Sequence, residues 1–457
     1  MERTSDPVVF IHGFLEWGVK TPLFGLIPSF WPVDALNRIN PNHIILDVGK
    51  ASSDHDRAVE AFYQLVGGQC DYGEEHSMRH GHLRFGETFP QDQAFHPHWS
   101  EANPIHLVGH SFGATTAIEL YQMICKDAFG VGSNYKWVKS ITSISGPLSG
   151  STFCSMLGAT TESGVPFMSP GYLLVAFFAT VWKLQTFSMP WLKRIYDLRM
   201  GQWANQTSWR MALSTESAFH TSRDLVLYDL LPVRRVQRNS QLVHMDKIFL
   251  LSIVATPKDA HHVPVKDMAM GVLLLWLAFR RKSLVPTKSW RYGLMAMTVA
   301  LAAEKVQHVD WSKLRLGFWG LTWLIRRYTQ QMADSPYDGF DKAQWELNDG
   351  VVNTYSQIRP RVGLLADTCD DDDDETSEGL TNIRRIESCV SHMSIDLKTH
   401  GNEEAQSGMV RGRWHTYRVD KNHLSGTTWD MEAGDLYLNL FRVLNNVAHE
   451  PHVPASY

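Results

Sequence analysis

The chain has 457 residues, of which 44 % are hydrophobic and 20 % charged, so it holds enough apolar material for a large core and is not a disordered polymer. A formal net charge of −5 excludes nucleic-acid binding driven by a basic surface. Five scattered cysteines with no C-x-x-C pair exclude a disulfide framework and a cysteine-rich zinc fold.

The first residues, Met1 to Pro7, contain no apolar stretch, so no cleavable secretory leader is expected and the location reads as cytoplasmic or membrane-peripheral. Val8-Val9-Phe10-Ile11 is a short apolar run closed by His12-Gly13 and reads as a buried strand. His43 to Val48 and Ile105 to Val108 read as two more strands, and Ala114 to Ile124 as a helix. Ser140 to Ser145 and Ile248 to Ala255 are further strands, and Leu436 to Val447 reads as a final helix. Strands alternating with helices predict an α/β fold with a mostly parallel sheet flanked by helices, here as a single domain over 1–457.

Two segments break the alternation. Residues 283–334 are rich in Trp, Leu and Met and read as an inserted apolar helical subdomain. Residues 367–408 contain the run Asp370 to Asp374 followed by Glu375, whose self-repulsion predicts a disordered acidic loop. Four apolar runs (Gly171 to Trp182, Met268 to Phe279, Tyr292 to Ala303, Leu314 to Ile325) fall short of the ~20 residues that span a bilayer. They read as buried helices, or as helices at a lipid interface with Arg280-Arg281-Lys282 and Arg326-Arg327 as anchors.

The motif that carries chemistry is Gly109-His110-Ser111-Phe112-Gly113, a G-x-S-x-G sequence placed after a strand and before a helix. A serine on such a turn is lifted into the cleft, and the helix start behind it aims N–H groups at an oxyanion. Phe10-Ile11-His12-Gly13-Phe14 offers the other half of that oxyanion hole, so the donors are the N–H groups of Phe14 and Phe112. The serine needs a base, and the base an orienting carboxylate. Among 21 histidines, composition selects none. In this fold the order along the chain is Ser, then Asp or Glu, then His. Asp349, in a polar turn, and His423, late in the chain, satisfy that order, although position alone leaves each equally readable as an ordinary loop residue.

These and other stretches resemble one family. They are His12-Gly13-Phe14 with Trp17-Gly18, Asp56-Arg57-Ala58, Gln64 to Gly68, Asp71-Tyr72-Gly73, and His76. To them add His80-Gly81-His82 with Arg84-Phe85-Gly86, Gln202-Trp203, Tyr228-Asp229-Leu230, Asn348-Asp349-Gly350, Val419-Asp420 and His423-Leu424. Together they make the chain resemble the thermoalkalophilic, staphylococcal-type bacterial lipases. The resemblance implies an α/β-hydrolase fold acting on triacylglycerols and other carboxylic esters, a triad of Ser111, Asp349 and His423, and a helical lid over 166–200. It also implies a structural zinc on Asp56, His76, His82 and Asp224, a donor set with no open position, pinning an insertion over 56–90.

The chain departs from the family in four ways. Lys421-Asn422 intervene before His423, and His55 replaces an aromatic beside the first zinc ligand. The family's calcium site keeps Asp430 but loses a glutamate to Ser425, which leaves a weakened site. The secretory leader of that family is likewise not expected from the first residues. The expected activity is serine carboxylester hydrolysis of a lipid or ester substrate, without an organic cofactor or nucleic acid, in contact with a membrane or lipid droplet. An acyltransferase on the same triad and a non-catalytic lipid-binding protein are the alternatives.

Overall fold

The computed structural model describes residues 3–161, 165–208, 214, 216–221, 223–257, 310–313, 316–362, 392–400 and 409–448. Nine strands are formed among them: β1 (Val8–Ile11), β2 (His43–Ile45), β3 (Gly68–Asp71), β4 (Phe85–Phe89), β5 (Ile105–His110), β6 (Val138–Ile144), β7 (Phe249–Ala255), β8 (His392–Ser394) and β9 (Trp414–Val419). Seven make one sheet in the order β2-β1-β5-β6-β7-β9-β8, and every pairing in it is parallel. The helices that matter to the site are α1 (Asp54–Val66), α2 (Glu74–His80), α3 (Phe112–Cys125), α4 (Pro170–Lys183), α5 (Leu316–Gln331), α6 (Thr354–Ile358) and α7 (Ala433–Ala448).

A parallel sheet covered on both faces needs apolar residues on both sides of each strand. Strand β1 meets this with four buried residues. Val9 and Ile11 join Leu107, Ala117, Leu120 and Tyr121 on the side of α1 and α3. Val8 and Phe10 join Trp31, Val108, Tyr437 and Phe441 on the side of α7. Burial of the four β1 side chains alone contributes on the order of 1.5–3 kcal/mol each. Parallel strands bring all their C-terminal ends to one edge, and the turns there build the cleft.

The expected strands are found, with β2 ending at Ile45 instead of Val48. Strand β9 went unread in the sequence: Trp414, His415 and Thr416 are buried, but Arg418 breaks the apolar run that signals a central strand. Within 367–408, His392–Ser394 forms the edge strand β8, paired with Trp414–Thr416, and Leu397–His400 is a short helix, so this part of the expected loop is ordered. The aspartate run itself lies outside the described residues, as do Met268 to Phe279 and Tyr292 to Ala303. Of the apolar insertion 283–334, the described part is 310–313 and the start of α5 onward. No helix among the described residues is long and apolar enough to cross a membrane.

Candidate active site

Strand β5 runs directly into Ser111, whose backbone sits at φ +51°, ψ −127°, a conformation L-residues rarely adopt. The crossing of strand, turn and helix is too tight for side chains at the motif's glycines. A Cβ on Gly113 would come within 2.1 Å of the Ile11 carbonyl oxygen, and one on Gly109 within 2.3 Å of the Gly113 carbonyl oxygen. Gly13 is equally confined, since its Cβ would lie 2.7 Å from Ser111 Cβ. The turn carrying Phe14 therefore passes directly over the serine. Phe112 opens α3, where its N–H has no intrahelical acceptor.

The three residues expected to act together converge from distant parts of the chain. His423 Nε2 lies 2.8 Å from Ser111 Oγ, and His423 Nδ1 lies 2.8 Å from Asp349 Oδ2. The His423 main chain adds a bond, its N–H donating to the Asp349 carbonyl at 3.1 Å. Asp349 is fully buried and all its lone-pair directions are used: Oδ1 accepts from Val351 N–H (3.0 Å) and Val352 N–H (2.8 Å), and Oδ2 also accepts from Gln357 Nε2 (2.9 Å). Gln357 is itself fixed from α6, its Oε1 accepting from Ala255 N–H at the end of β7. Burial opposes charge on the His423 ring, but the Asp349 carboxylate and, further off, Glu16 raise its pKa above the ordinary 6.5.

The two residues that precede His423 do not displace it. Asn422 N–H donates to Ser312 O (2.7 Å), and Asn422 Oδ1 accepts from Leu424 N–H (2.9 Å), which closes the turn around the histidine. Lys421 is buried, and its ammonium sits on Asp430 Oδ1 and 3.1 Å from Glu432 Oε2. Asp430 Oδ2 accepts from Gly426 N–H (2.8 Å). The carboxylate expected to hold calcium is thus already neutralised by a lysine cation, so the residues present do not fit a calcium ion.

The four expected zinc ligands are brought together. His76 Nε2 is 3.2 Å from Asp56 Oδ1 and 3.3 Å from Asp224 Oδ1, and His82 Nε2 is 3.2 Å from Asp224 Oδ2 and 3.9 Å from Asp56 Oδ1. Ligands of a tetrahedral ion at about 2.0–2.1 Å stand about 3.3 Å apart, close to these spacings. Asp56 Oδ1, His76 Nε2 and His82 Nε2 are buried and satisfy no hydrogen-bond geometry, as ligand atoms aimed at a common centre would be. The surrounding bonds orient them: His82 Nδ1 is 2.8 Å from Leu83 O, which leaves Nε2 as the lone-pair nitrogen, and Gln202 Nε2 donates to Asp56 Oδ2 at 2.7 Å. His55 stacks on the His76 ring at 3.7 Å, so it supplies the flat surface of the aromatic it replaces. The residues fit a zinc ion. It would link α1, α2 and the β3–β4 hairpin to the segment around Asp224.

The partners of Arg57, Glu16 and His110 had no sequence signal. Arg57 is fully buried in α1 and binds the His12 carbonyl, Gly49 O (2.5 Å) and Thr116 Oγ1 (3.0 Å), with its guanidinium 4.7 Å from the Phe112 ring centre. Glu16 and His110 form a buried pair beside Ser111. Both depend on contacts between residues far apart in sequence, which no local pattern records.

Helix α4 packs against the turn that carries Phe14, through the edge contact of Phe178 with the Phe14 ring. Ser169 caps it by accepting from Tyr172 N–H (3.1 Å), and Pro170 occupies the first turn. Tyr172, Val175, Ala176, Ala179 and Trp182 face inward at helical spacing, while Leu173 and Phe177 on the other face are 52 % and 60 % exposed. Under it, Phe14, Leu174, Val175 and Phe178 help line an apolar cavity of about 20 Å³, and Ser111 is 5 % exposed.

Comparison with known proteins agrees with this architecture. Residues 4–167 match the family described as lipase-like, C-terminal domain. Lipase 2 of Staphylococcus aureus is 33 % identical over 178 residues, covering 34 % of this chain and 25 % of that protein. The lipase of Staphylococcus hyicus is 34 % identical over 122 residues, covering 25 % and 18 %. The chain thus spans about a quarter or less of the length of these curated relatives. Among solved structures, EstA from Clostridium botulinum superposes with a TM-score of 0.60 at 22 % identity, covering 98 % of this chain and 88 % of that one. The Staphylococcus hyicus lipase structure gives 0.60 at 18 % identity, covering 97 % and 96 %. The chain is thus similar to the staphylococcal lipases over part of its length, matches the lipase-like family over residues 4–167, and shares the α/β-hydrolase fold of the solved lipase and esterase structures.

Proposed function

We propose that this protein is a serine carboxylester hydrolase acting on lipid esters of the triacylglycerol class. The observation that carries the reading is the hydrogen-bonded line from Ser111 Oγ through His423 to Asp349, with both links at 2.8 Å, on a strained turn between strand and helix. Ser111 Oγ attacks the ester carbonyl carbon while His423 Nε2 takes its proton. Asp349 holds the imidazole with Nδ1–H toward itself and stabilises the imidazolium. The N–H groups of Phe14 and Phe112 receive the oxyanion. The intermediate collapses, the leaving alcohol takes the proton from His423, and an acyl group remains on Ser111. Water, deprotonated by His423, then attacks the acyl carbon through the same oxyanion site, and the acid leaves as His423 returns the proton to Ser111 Oγ.

A zinc ion on Asp56, His76, His82 and Asp224 would supply a structural cross-link, with no role in these steps. The lid reading of 166–200 rests on α4, whose outer face is apolar in a position where water would otherwise select polar residues. Phe167, Met168, Phe187, Met189 and Trp191 extend that exposed apolar surface. Such a surface suits contact with aggregated lipid, and the small cavity beneath suits a cleft that widens when α4 moves. The test compares a dissolved short-chain ester with an emulsified long-chain triacylglycerol, with and without an added alcohol. Preference for the emulsion supports the lipase reading. Confinement to short dissolved esters leaves an esterase and removes the lipid-surface role. Ester formed on the alcohol in preference to free acid makes the protein an acyltransferase.

A further inference from the structure

Behind the candidate triad lies a second carboxylate–imidazole pair that its chemistry does not use. We propose that Glu16 and His110 form a buried hydrogen-bonded pair that positions the base His423 and the oxyanion turn together. This rests on the reading of Ser111 and His423 as nucleophile and base.

Both ring nitrogens of His110 face oxygens: Nδ1 is 2.7 Å from Glu16 Oε1, and Nε2 is 2.9 Å from the carbonyl oxygen of His423. A carbonyl oxygen can only accept, so Nε2 carries a proton. The second oxygen of Glu16 accepts from Gly13 N–H, so one side chain holds both the ring and the turn. Nδ1 and Glu16 Oε1 share the remaining hydrogen bond, so the ring is held at both nitrogens. Burial pushes the Glu16 carboxyl up, but the His110 charge and hydrogen bond, His423 and the Gly13 amide hold it below its ordinary value. Glu16 is 8 % exposed and His110 fully buried, enclosed by the rings of Phe30 and Trp31.

The placement gives the pair its role. Glu16 closes the turn from Gly13 to Glu16, which contains Phe14 and a strained Leu15 at φ +57°. His110 is the residue before the nucleophile. Its Nε2–H fixes the peptide of the base. One carboxylate thereby ties together the oxyanion turn, the nucleophile strand and the His423 loop. Displacing any of them by an ångström is enough to cost roughly 100-fold in rate.

The test uses Glu16→Ala, Glu16→Gln, His110→Ala and the double alanine variant, each checked by thermal melting. A glutamine keeps every bond: its Oε1 accepts from Gly13 N–H, and its Nε2 donates to Nδ1 of a neutral ring whose Nε2–H stays on His423 O. We expect Glu16→Ala to lower kcat by about 10- to 100-fold with KM within about twofold. Glu16→Gln should recover to within about threefold of the parent, and the double variant should be no worse than either alanine. Parent-like kcat in Glu16→Ala, no rescue by glutamine, or additive losses would each overturn the proposal. A measurement free of catalysis guards against misfolded variants: nitrogen-15 NMR of the histidines. One Nε2–H ring proton should be protected from solvent exchange in the parent and in Glu16→Gln and lose that protection in Glu16→Ala; unchanged protection in Glu16→Ala overturns the pair. Failure of the hydrolase reading itself looks different: the parent turns over no ester and Ser111 resists a fluorophosphonate, whatever the NMR shows.

Discussion

Replacing Asp349 by asparagine isolates its proposed role, because the structure dictates how the amide must sit. Oδ1 accepts two backbone N–H groups, from Val351 and Val352, so that position has to remain an oxygen. The new NH₂ therefore takes the place of Oδ2, facing His423 Nδ1 at 2.8 Å and Gln357 Nε2 at 2.9 Å. Donating to Nδ1 forces the imidazole proton onto Nε2, which then points a hydrogen at Ser111 Oγ instead of a lone pair. A base in the wrong tautomer costs about 10⁴-fold in kcat, which corresponds to about 5.5 kcal/mol of transition-state stabilisation. The second contact sets two donors against each other. Gln357 cannot turn its oxygen inward without giving up Ala255 N–H, so a stability loss of about 1–3 kcal/mol accompanies the kinetic one. Steady-state hydrolysis of a soluble p-nitrophenyl ester gives the first number and urea unfolding the second. A kcat within tenfold of the parent would refute the orienting role assigned to Asp349.

Because its folded-state pKa is raised and only the neutral ring can accept a proton, His423 should impose an acid limb on kcat/KM, with activity lost as pH falls through a midpoint above 6.5; a midpoint at or below that value contradicts the electrostatics. Metal analysis should find one zinc per chain, and a chelator or Asp224→Ala should lower the melting temperature, by about 4 kcal/mol of stability if free zinc stands a thousandfold above its Kd. A metal-free parent with chelator-insensitive melting removes the zinc. A calcium-specific chelator should leave hydrolysis unchanged, since Lys421 already neutralises Asp430, while Lys421→Ala should destabilise the fold by about 3–5 kcal/mol by stranding a buried carboxylate. Loss of parent activity in the chelator would sink that account.

Much of the sheet was legible because β1 and β7 are apolar on both faces and β5 carries a short apolar run into the serine motif, patterns that survive without any knowledge of neighbours. Strand β9 was not, because Arg418 at its exposed end interrupts the run. The strand-turn-helix around Ser111 is a local feature and was readable from five residues. Asp349 and His423 were selected by chain order and resemblance, since their pairing spans 74 residues. The Lys421-Asn422 step before His423 departs from the resembling family. The structure absorbs it through the Asn422 side chain and puts the added lysine where a cation was expected. Glu16 and His110, 94 residues apart, and the Arg57 contacts to His12 and Gly49 exist only once the chain is folded.

The most direct test of the central claim is covalent labelling of the intact protein by a serine-directed fluorophosphonate, read by mass spectrometry beside hydrolysis of p-nitrophenyl esters from C2 to C16. The account predicts one label per chain, on Ser111, and loss of both labelling and hydrolysis in Ser111→Ala. Labelling elsewhere, or hydrolysis that survives in Ser111→Ala, would contradict it.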